Sequence, residues 1–404
     1  MKQEEGMVAY FSEAHWATRD RLIPAGLMAF AAYVGVLTYF FSPSGPAIVD
    51  GAVPISDFLC FWLAGGEVMH GRPGVVYDNS AFLALQTPYL EPGAFYPFFY
   101  PPTFLLLIAP LGMMAAIPAY AVSQAVSLAL AGAACARILR SWTGFLLIAA
   151  MPATFNAMFH GQNALLCAAL LGGGLAALSE RREVLAGILI GLLTIKPQMG
   201  VLLPFAFLAA GYHRAFVSAA VTAVSFAALS WVILGSDTWQ AFFEQAVFTG
   251  QATDQGMAGF FKMASVYASA RMLGLTASFA YLVQALAALA AVLLVWKVWR
   301  TKTDFGIKAA VLVSAGFFAT PYVLPYDLAA MAIGIAFLMQ ATRGKQAFPY
   351  MWTLVALAVL LSASSRYLGA MTGVPLGLLA PALLLFVSVR LHTLSQPREV
   401  EALA

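Results

Sequence analysis

The stretch LIPAGLMAFAAYVGVLTYFF, residues 22–41, decides the fold class. It contains no charged residue, and about 20 apolar residues in a helix are enough to cross a bilayer. The segment before it, Met1 to Asp20, is polar and lacks the pattern of a cleavable signal. We therefore interpret residues 22–41 as an uncleaved first membrane helix.

The rest of the chain has the same apolar character. Of its 404 residues, 62% are hydrophobic and 10% are charged, whereas about a quarter of an average soluble domain is charged. The chain has 21 Lys and Arg and 18 Asp and Glu, and a soluble protein of this size could not cover its surface with so few charged side chains. The composition excludes a cytosolic enzyme, a nucleic-acid-binding protein and a disordered chain. It predicts an all-α polytopic membrane protein, with residues 1–404 forming one integral membrane domain.

Apolar runs bounded by charged residues, Pro or Gly predict about twelve transmembrane helices. In chain order these runs are 22–41, 115–136, 143–159, 163–179, 184–196, 198–211, 215–234, 278–296, 306–321, 326–341, 349–363 and 368–389. Residues 42–114 and 235–277 are predicted outer loops, and 103–114 is too short to cross the membrane.

The first outer loop carries signs of interfacial structure. Its amphipathic stretches, Asp57–His70 and Asn79–Leu90, predict helices that lie at the membrane interface. The aromatic run from Phe95 to Tyr100 is typical of the headgroup level, where amphipathic rings accumulate.

The distribution of basic residues predicts the orientation. With both termini cytoplasmic, 16 of the 21 Lys and Arg fall inside, and the other five are Arg72, Lys196, Lys262, Arg271 and Arg366. This asymmetry follows the positive-inside rule and predicts a protein of the plasma membrane, the inner membrane of a bacterium. The three cysteines show no metal or redox spacing, and we predict neither a metal nor a cofactor.

Polar residues near membrane depth are functional candidates because burying them without a partner is unfavourable. The predicted topology places six of them on the outer side: Asp57, His160, Gln162, Lys196, Asp327 and Arg366. A carboxylate and several cations at one membrane face suit a group transfer from a phosphate leaving group.

Each candidate also has a structural interpretation. Asp57 and Asp327 each precede an apolar segment, so either could cap a helix or act in catalysis. The sequence His160-Gly161-Gln162-Asn163 could form a simple turn, although His and Gln bring more hydrogen-bonding groups than a turn needs.

The cations leave similar alternatives. Lys196 could snorkel, but the helix-breaking Pro197 beside it favours an anionic partner, and a lipid-linked phosphate is such an anion. Arg366 could snorkel or contact phosphate. Arg72 lies in a segment of helix-ending glycines, where a structural role is favoured.

The polar motifs of this chain, taken together, resemble those of glycosyltransferase family 87. Its members are the polyprenol-phosphate-mannose-dependent mannosyltransferases with the C-type membrane glycosyltransferase (GT-C) fold. The matching motifs occur in the family's order: Asp57-Phe58, Gly71-x-Pro73 with Tyr77-Asp78, Tyr100-Pro101-Pro102-Thr103-Phe104, Ala109-Pro110-Leu111, Gly161-Gln162-Asn163, Ile195-Lys196-Pro197, and Thr320-Pro321 with Tyr326-Asp327. The family often has His near the position of Tyr326. No motif is matched beyond about residue 330.

The resemblance implies an inverting hexosyltransferase on the outer face that moves a sugar, typically mannose, from a polyprenyl phosphate donor to a lipid or glycan acceptor. It implies that Asp57 is the general base. The residues expected to bind donor phosphate are Lys196, Arg366, His160 and Arg72. Those expected to bind substrate are Gln162, Asn163, Tyr326, Asp327 and Tyr100. The expected partners are the donor, the acceptor and membrane lipids.

Two other classes remain open from the sequence. A multi-span solute transporter fits the helix count, although one-sided polar residues and the lack of two similar halves argue against it. A lipid-linked polysaccharide polymerase or ligase shares the outer-face chemistry, but it would usually have its large outer loop late in the chain.

Overall fold

The computed structural model describes residues 2–42, 45, 57–345 and 347–396, and this part of the chain forms helices without strands. The α-helices are α1 (Lys2–Ser12), α2 (Arg19–Phe40), α3 (Phe58–Met69), α4 (Asn79–Gln86), α5 (Pro102–Ile108), α6 (Ala116–Leu139), α7 (Thr143–Ala149), α8 (Pro152–His160), α9 (Ala164–Ser179), α10 (Glu183–Gly191), α11 (Leu203–Ala210), α12 (His213–Leu234), α13 (Ser236–Asp254), α14 (Val266–Met272), α15 (Ala277–Trp299), α16 (Phe305–Gly316), α17 (Met331–Ala341), α18 (Met351–Thr372) and α19 (Leu379–Leu394). Short 3-10 helices cover Pro73–Tyr77, Thr87–Tyr89, Ala109–Met113, Leu192–Ile195, Pro197–Gly200, Phe260–Lys262, Pro325–Ala330 and Leu376–Leu378.

Six helices of the described chain are long and apolar enough to cross a membrane. They are α2, α6, α12, α15, α18 and the continuous segment Leu376–Leu394. The 24 residues of α6 extend about 36 Å at 1.5 Å per residue, which exceeds the roughly 30 Å of a hydrocarbon core. The all-helical, polytopic membrane class predicted from the sequence is therefore confirmed.

The other apolar runs form shorter helices, so the predicted number of twelve spans remains a prediction. Run 143–159, for example, is two helices, α7 and α8, separated by a break at Met151 before Pro152. Runs 184–196 and 198–211 each combine an α-helix with a 3-10 helix on either side of Lys196.

One predicted boundary is wrong. We expected the last outer turn near residue 366, but α18 continues to Thr372, and the chain turns at Gly373, which has a φ of 69°. Residues 364–367 are mostly small or polar, and they continue the helix because no proline or glycine interrupts them before Gly369. Arg366 therefore lies in the last turns of α18.

The centre of the bundle is formed by α9, α16 and α17. Every residue of α17 from Met331 to Leu338 is buried, and α9 is buried along most of its length. In contrast, α2 and α12 expose most of their apolar side chains. A helix that is apolar on every side is typical of a buried core position, whereas exposed apolar helices fit a lipid-facing rim.

The first outer segment is largely helical where it is described. Both amphipathic stretches contain helices, α3 and α4, whereas residues 43–44 and 46–56 of the predicted loop lie outside the described residues. Helix α3 packs closely against the 3-10 helix Ala109–Met113 because glycines face each other. A methyl group on Gly65 would lie 2.4 Å from the carbonyl oxygen of Ile108, and one on Gly112 would lie 2.2 Å from the nitrogen of Gly66.

The second outer segment, predicted as a loop, is also largely helical. Its main element is α13, which packs against the 3-10 helix Pro73–Tyr77 of the first segment. The Phe242 ring meets the Tyr77 ring at 5.6 Å between centroids, and Gln245 donates to Asn79 at 3.0 Å. The two outer segments therefore pack on each other.

Candidate active site

Asp57 lies at the start of α3 but does not cap it. Its backbone is already helical, with φ −56° and ψ −18°, and its carboxylate makes no bond to the first turn of α3. Instead, Gln162 Nε2 donates to Asp57 Oδ2 at 2.7 Å. Of the two interpretations offered by the sequence, the structure does not show the capping one, and it leaves Asp57 half-buried with a side-chain partner 105 residues away.

Gln162 is held on its other side by a tyrosine. The Tyr100 hydroxyl donates to Gln162 Oε1 at 2.8 Å. Burial raises the pKa of Tyr100 well above its usual value, so this hydroxyl keeps its proton and donates. Because a carboxylate accepts and does not donate, the Gln162 amide is fixed between Tyr100 and Asp57 in a single orientation.

The backbone around Gln162 explains its position. Helix α8 ends at Gly161 in the left-handed region, with φ 65°, where glycine carries no steric penalty. The nitrogens of Gly161 and Gln162 donate to Met158 and Ala157 at 3.0 and 2.8 Å, a pattern typical of a Schellman cap. The sharp turn lets the Gln162 side chain reach Asp57 at the start of α3.

Tyr100 belongs to the aromatic run that the sequence placed at the headgroup level. Phe98 of this run is fully buried, and the Tyr100 ring packs on Phe61 and Phe104 with centroid distances of 5.1 and 4.8 Å. The Tyr77 hydroxyl donates to the Tyr100 carbonyl at 2.9 Å. The rings of Phe98 and Tyr100 therefore pack against other side chains of the protein, and their depth at the headgroup level stays a prediction.

A group of basic side chains, His160, Lys262 and Arg366, lies beside the carboxylate. Arg366 Nη1 is 3.4 Å from His160 Nε2, and His160 is within electrostatic range of Asp57, Arg366 and Lys262. This arrangement forms where α18 packs against both α8 and the 3-10 helix Phe260–Lys262. Two residues predicted to bind phosphate, His160 and Arg366, are thus brought together.

Lys262 is a member of this group that the sequence argument did not select. Burial lowers the pKa of its ammonium, the neighbouring Arg366 guanidinium lowers it further, and the Asp57 carboxylate opposes both effects. The available signal was the scarcity of outer cations, because Lys262 is one of only five basic residues that the predicted topology leaves outside.

Lys196 and Asp327 form a buried ion pair. The two side chains are 3% and 2% exposed, and the Lys196 ammonium bonds Asp327 Oδ1. Asp327 Oδ2 also accepts from the Leu324 nitrogen at 3.0 Å. The anionic partner of Lys196 in this structure is therefore a carboxylate of the protein itself. Asp327 also has a capping role, because its carboxylate accepts from the nitrogen of Leu324, the residue that precedes the 3-10 helix Pro325–Ala330.

Tyr326 contacts both the ion pair and one of the basic side chains, His160. The Lys196 ammonium lies 5.1 Å from the centroid of the Tyr326 ring, and the His160 ring lies 6.4 Å from it on another side. Tyr326 is 6% exposed. The ring is thus packed between Lys196 and His160.

Asn163 presents unsatisfied polar atoms. It is 6% exposed, and neither its Oδ1 nor its Nδ2 has a hydrogen-bond partner among the described residues. A buried amide without partners is unfavourable unless a ligand or water completes it. Asn163 directly follows Gln162 in the chain, so it is a candidate for completing the site when a ligand binds.

Arg72 is not part of this site. Its guanidinium bonds Glu67 at 2.9 Å, at the end of α3 that is about 18 Å from Asp57 by the length of the helix. The structural role that the sequence favoured for the Gly71–Gly74 segment fits this placement, whereas the expected phosphate contact does not. Asp78, in the same segment, caps α4 through bonds from the nitrogens of Ser80 and Ala81.

An apolar helical bundle with a carboxylate and several basic side chains gathered at one end defines a polytopic membrane protein with a polar site among its helices. A model of glycosyltransferase family 87 matches residues 98–325, more than half of the chain, and the chain belongs to this family. It is therefore a membrane glycosyltransferase, and the family resemblance found in the sequence is confirmed. Tyr100, Gln162, Lys196 and Lys262 lie within the matched segment, whereas Asp57, Asp327 and Arg366 lie outside it. Searches of curated proteins and of solved structures returned no significant match.

Proposed function

We propose that this glycosyltransferase moves a hexose from a polyprenyl phosphate donor to a lipid or glycan acceptor, with inversion, and that Asp57 is the general base. The observation that carries the proposal is the fixed Asp57–Gln162–Tyr100 chain beside the basic side chains of His160, Arg366 and Lys262. A base and a phosphate-sized group of positive charges are the two requirements of this transfer.

The acceptor hydroxyl would approach Asp57 from the side not used by Gln162. Oδ2 already accepts from Gln162, whereas Oδ1 accepts no hydrogen bond from the described residues. Oδ1 takes the acceptor proton while the acceptor oxygen forms its bond to the anomeric carbon. The bond from that carbon to the phosphate oxygen breaks on the opposite face, which inverts the configuration.

The leaving lipid phosphate gains the electrons of the broken bond and needs positive charge around it. Arg366 and Lys262 are the cations best placed for this role, with His160 between Asp57 and Arg366. We assign Lys196 a different role from the one expected, since its charge is already matched by Asp327. In this proposal the buried pair holds the Tyr326 ring against His160.

Mannose as the sugar and the outer face as the location rest on the family resemblance and on the positive-inside pattern. The site residues predicted to be outside do lie together at one end of the bundle, because α8, α18 and the 3-10 helix Pro325–Ala330 meet there. The transporter and polysaccharide ligase alternatives are less favoured, since the family is one of glycosyltransferases and the polar groups gather at one end.

The test is transfer from a labelled polyprenyl phosphate mannose by the purified full-length protein. Asp57→Asn should reduce transfer by about a thousandfold or more, as expected for loss of a general base from a pre-organised site. Donor should still raise the melting temperature of the variant, because its phosphate binds the cations. A soluble sugar that protects the protein in place of the donor would favour the transporter alternative.

The matched control is Asp78→Asn, which removes a carboxylate from the same outer segment. Because Asn caps helices about as well as Asp, this variant should keep both transfer and stability. Wild-type turnover in Asp57→Asn would contradict the assignment of the base.

A further inference from the structure

A second cavity lies at the end of the bundle opposite Asp57. It has a volume of about 570 Å³ and is lined by Arg19, Arg140 and Arg343 together with shorter side chains. Drug-sized ligand sites commonly have volumes of about 300–1,000 Å³. This cavity therefore has the size of a ligand site, although glycosyl transfer does not use it.

The helices show that it is far from the active site. Helix α2 begins at Arg19 and ends at Phe40, whose ring packs at 4.6 Å on Phe159, next to His160. Helix α17 follows the 3-10 helix of Asp327 and ends two residues before Arg343. The 22 residues of α2 place the two sites about 33 Å apart along the bundle.

The three arginines are not neutralised by the protein. None of them takes part in an ion pair with the described residues, and Glu180, which is within electrostatic range of Arg140, is bonded by two nitrogens of another arginine, Arg137. Three guanidinium groups around one cavity repel each other unless an anion is present, and a planar guanidinium pairs well with phosphate oxygens.

The backbone at Arg140 adds an independent feature. Arg140 caps α6 in the left-handed region, with φ 50° and ψ 42°, where glycine is the usual residue. A non-glycine residue there is unfavourable and is found at sites where the side chain has a use. The Arg140 guanidinium lines the cavity, so contact with a ligand there is a use that fits the unfavourable backbone conformation.

We propose that this cavity binds the phosphate headgroup of an anionic phospholipid. Its lining combines the arginines with apolar side chains, Ile138, Leu139 and Met339, which suit the first methylenes of an acyl chain. Basic pockets between membrane helices on the cytoplasmic side bind anionic headgroups. The positive-inside prediction puts this end of the bundle in the cytoplasmic leaflet, on the side away from glycosyl transfer.

The test uses the purified full-length protein in a neutral detergent. Phosphatidylglycerol should raise its melting temperature, and native mass spectrometry should show a retained phosphatidylglycerol, whereas phosphatidylcholine should do neither. The variant Arg140→Gly/Arg343→Gln should bind phosphatidylglycerol on the order of 25-fold more weakly, about fivefold per arginine. Glycine at position 140 suits the left-handed backbone, so this change should not unfold the protein.

The control is Arg300→Gln, which removes an arginine from the same end of the bundle but outside the cavity. It should bind phosphatidylglycerol like the wild type. Inorganic phosphate and glycerol phosphate, tested at the same concentrations, separate the two sources of a phosphate group. Protection by the soluble anions as strong as that by the lipid would overturn the lipid assignment, and full retention of phosphatidylglycerol by the double variant would overturn the site.

Discussion

At the scale of single residues, Gln162 illustrates how the environment determines the role of a side chain. The sequence marked it as a substrate ligand, but both ends of its amide are taken by Tyr100 and Asp57. A side chain whose polar atoms are all paired can orient its neighbours, but it has few free hydrogen-bonding groups with which to bind a substrate. The adjacent Asn163, with two unpaired polar atoms, is the better candidate for a substrate contact.

Gln162→Glu tests this orienting role through the pH dependence of transfer. Two carboxylates at hydrogen-bond distance share one proton and release it only at higher pH. The acidic limb of the pH–rate profile for transfer should therefore move upward by roughly one unit or more. Gln162→Leu, which adds no charge but removes the donor to Asp57, should lower the maximal rate and move the limb upward by less than Gln162→Glu does. An unmoved limb in Gln162→Glu would mean that this residue does not act on the base.

The Lys196–Asp327 pair gives a prediction about stability. Removing one partner of a buried pair leaves an uncompensated charge and costs about 3–5 kcal/mol. Lys196→Met and Asp327→Asn should each lower the melting temperature in detergent strongly, because both side chains are almost fully buried. The double variant should be less destabilised than the sum of the single ones. Additive losses would show that the two charges do not stabilise each other.

At the scale of elements, the position of Asp57 depends on the close approach of α3 to the 3-10 helix Ala109–Met113. Gly65→Ala should destabilise the protein by about 1–3 kcal/mol, since the new methyl group would overlap the Ile108 carbonyl. Gly66→Ala is the matched control, because a methyl group there meets nothing within 4 Å. It should be neutral or up to about 1 kcal/mol more stable, since alanine favours a helix. Equal melting temperatures for the two variants would contradict the close packing.

Elements with a strong apolar signal were predictable, and those that depend on tertiary contacts were not. Helix α6 follows from its uniform apolar run, which has only one low-energy arrangement in lipid. Helix α13 was missed because its sequence is mixed and polar, and its partner is the 3-10 helix Pro73–Tyr77 from a distant segment. The end of α18 was placed nine residues early because Arg366 was interpreted as a boundary, whereas Arg366 lies within the helix.

At the scale of the whole molecule, the sequence predicted which polar residues share one end of the bundle but not which of them touch. Asp57, Gln162 and His160 were grouped by predicted sidedness alone, and the structure places them around one site. The pairing of Lys196 with Asp327 across 131 residues has no local signal, since both could equally have faced a ligand. Distances between side chains come from packing, which a pattern along the chain does not encode.

The orientation of the whole bundle can be tested by labelling the two ends of α15. The three cysteines, Cys60, Cys135 and Cys167, are buried and should react little with a maleimide. Thr276 and Lys302 are both exposed and flank α15 on opposite sides, so Thr276→Cys and Lys302→Cys form a matched pair. If α15 starts outside, a membrane-impermeant maleimide should label Thr276→Cys in right-side-out vesicles.

Lys302→Cys should be labelled only after the vesicles are permeabilised, because the positive-inside rule places the end of α15 with Lys297 and Arg300 in the cytoplasm. Labelling of both variants in permeabilised vesicles is the control for reactivity. The reverse pattern would place the Asp57 site in the cytoplasm and the three-arginine cavity outside. A donor made available only at the outer face could then not reach the site, so this measurement constrains the proposed transfer as directly as an assay of activity.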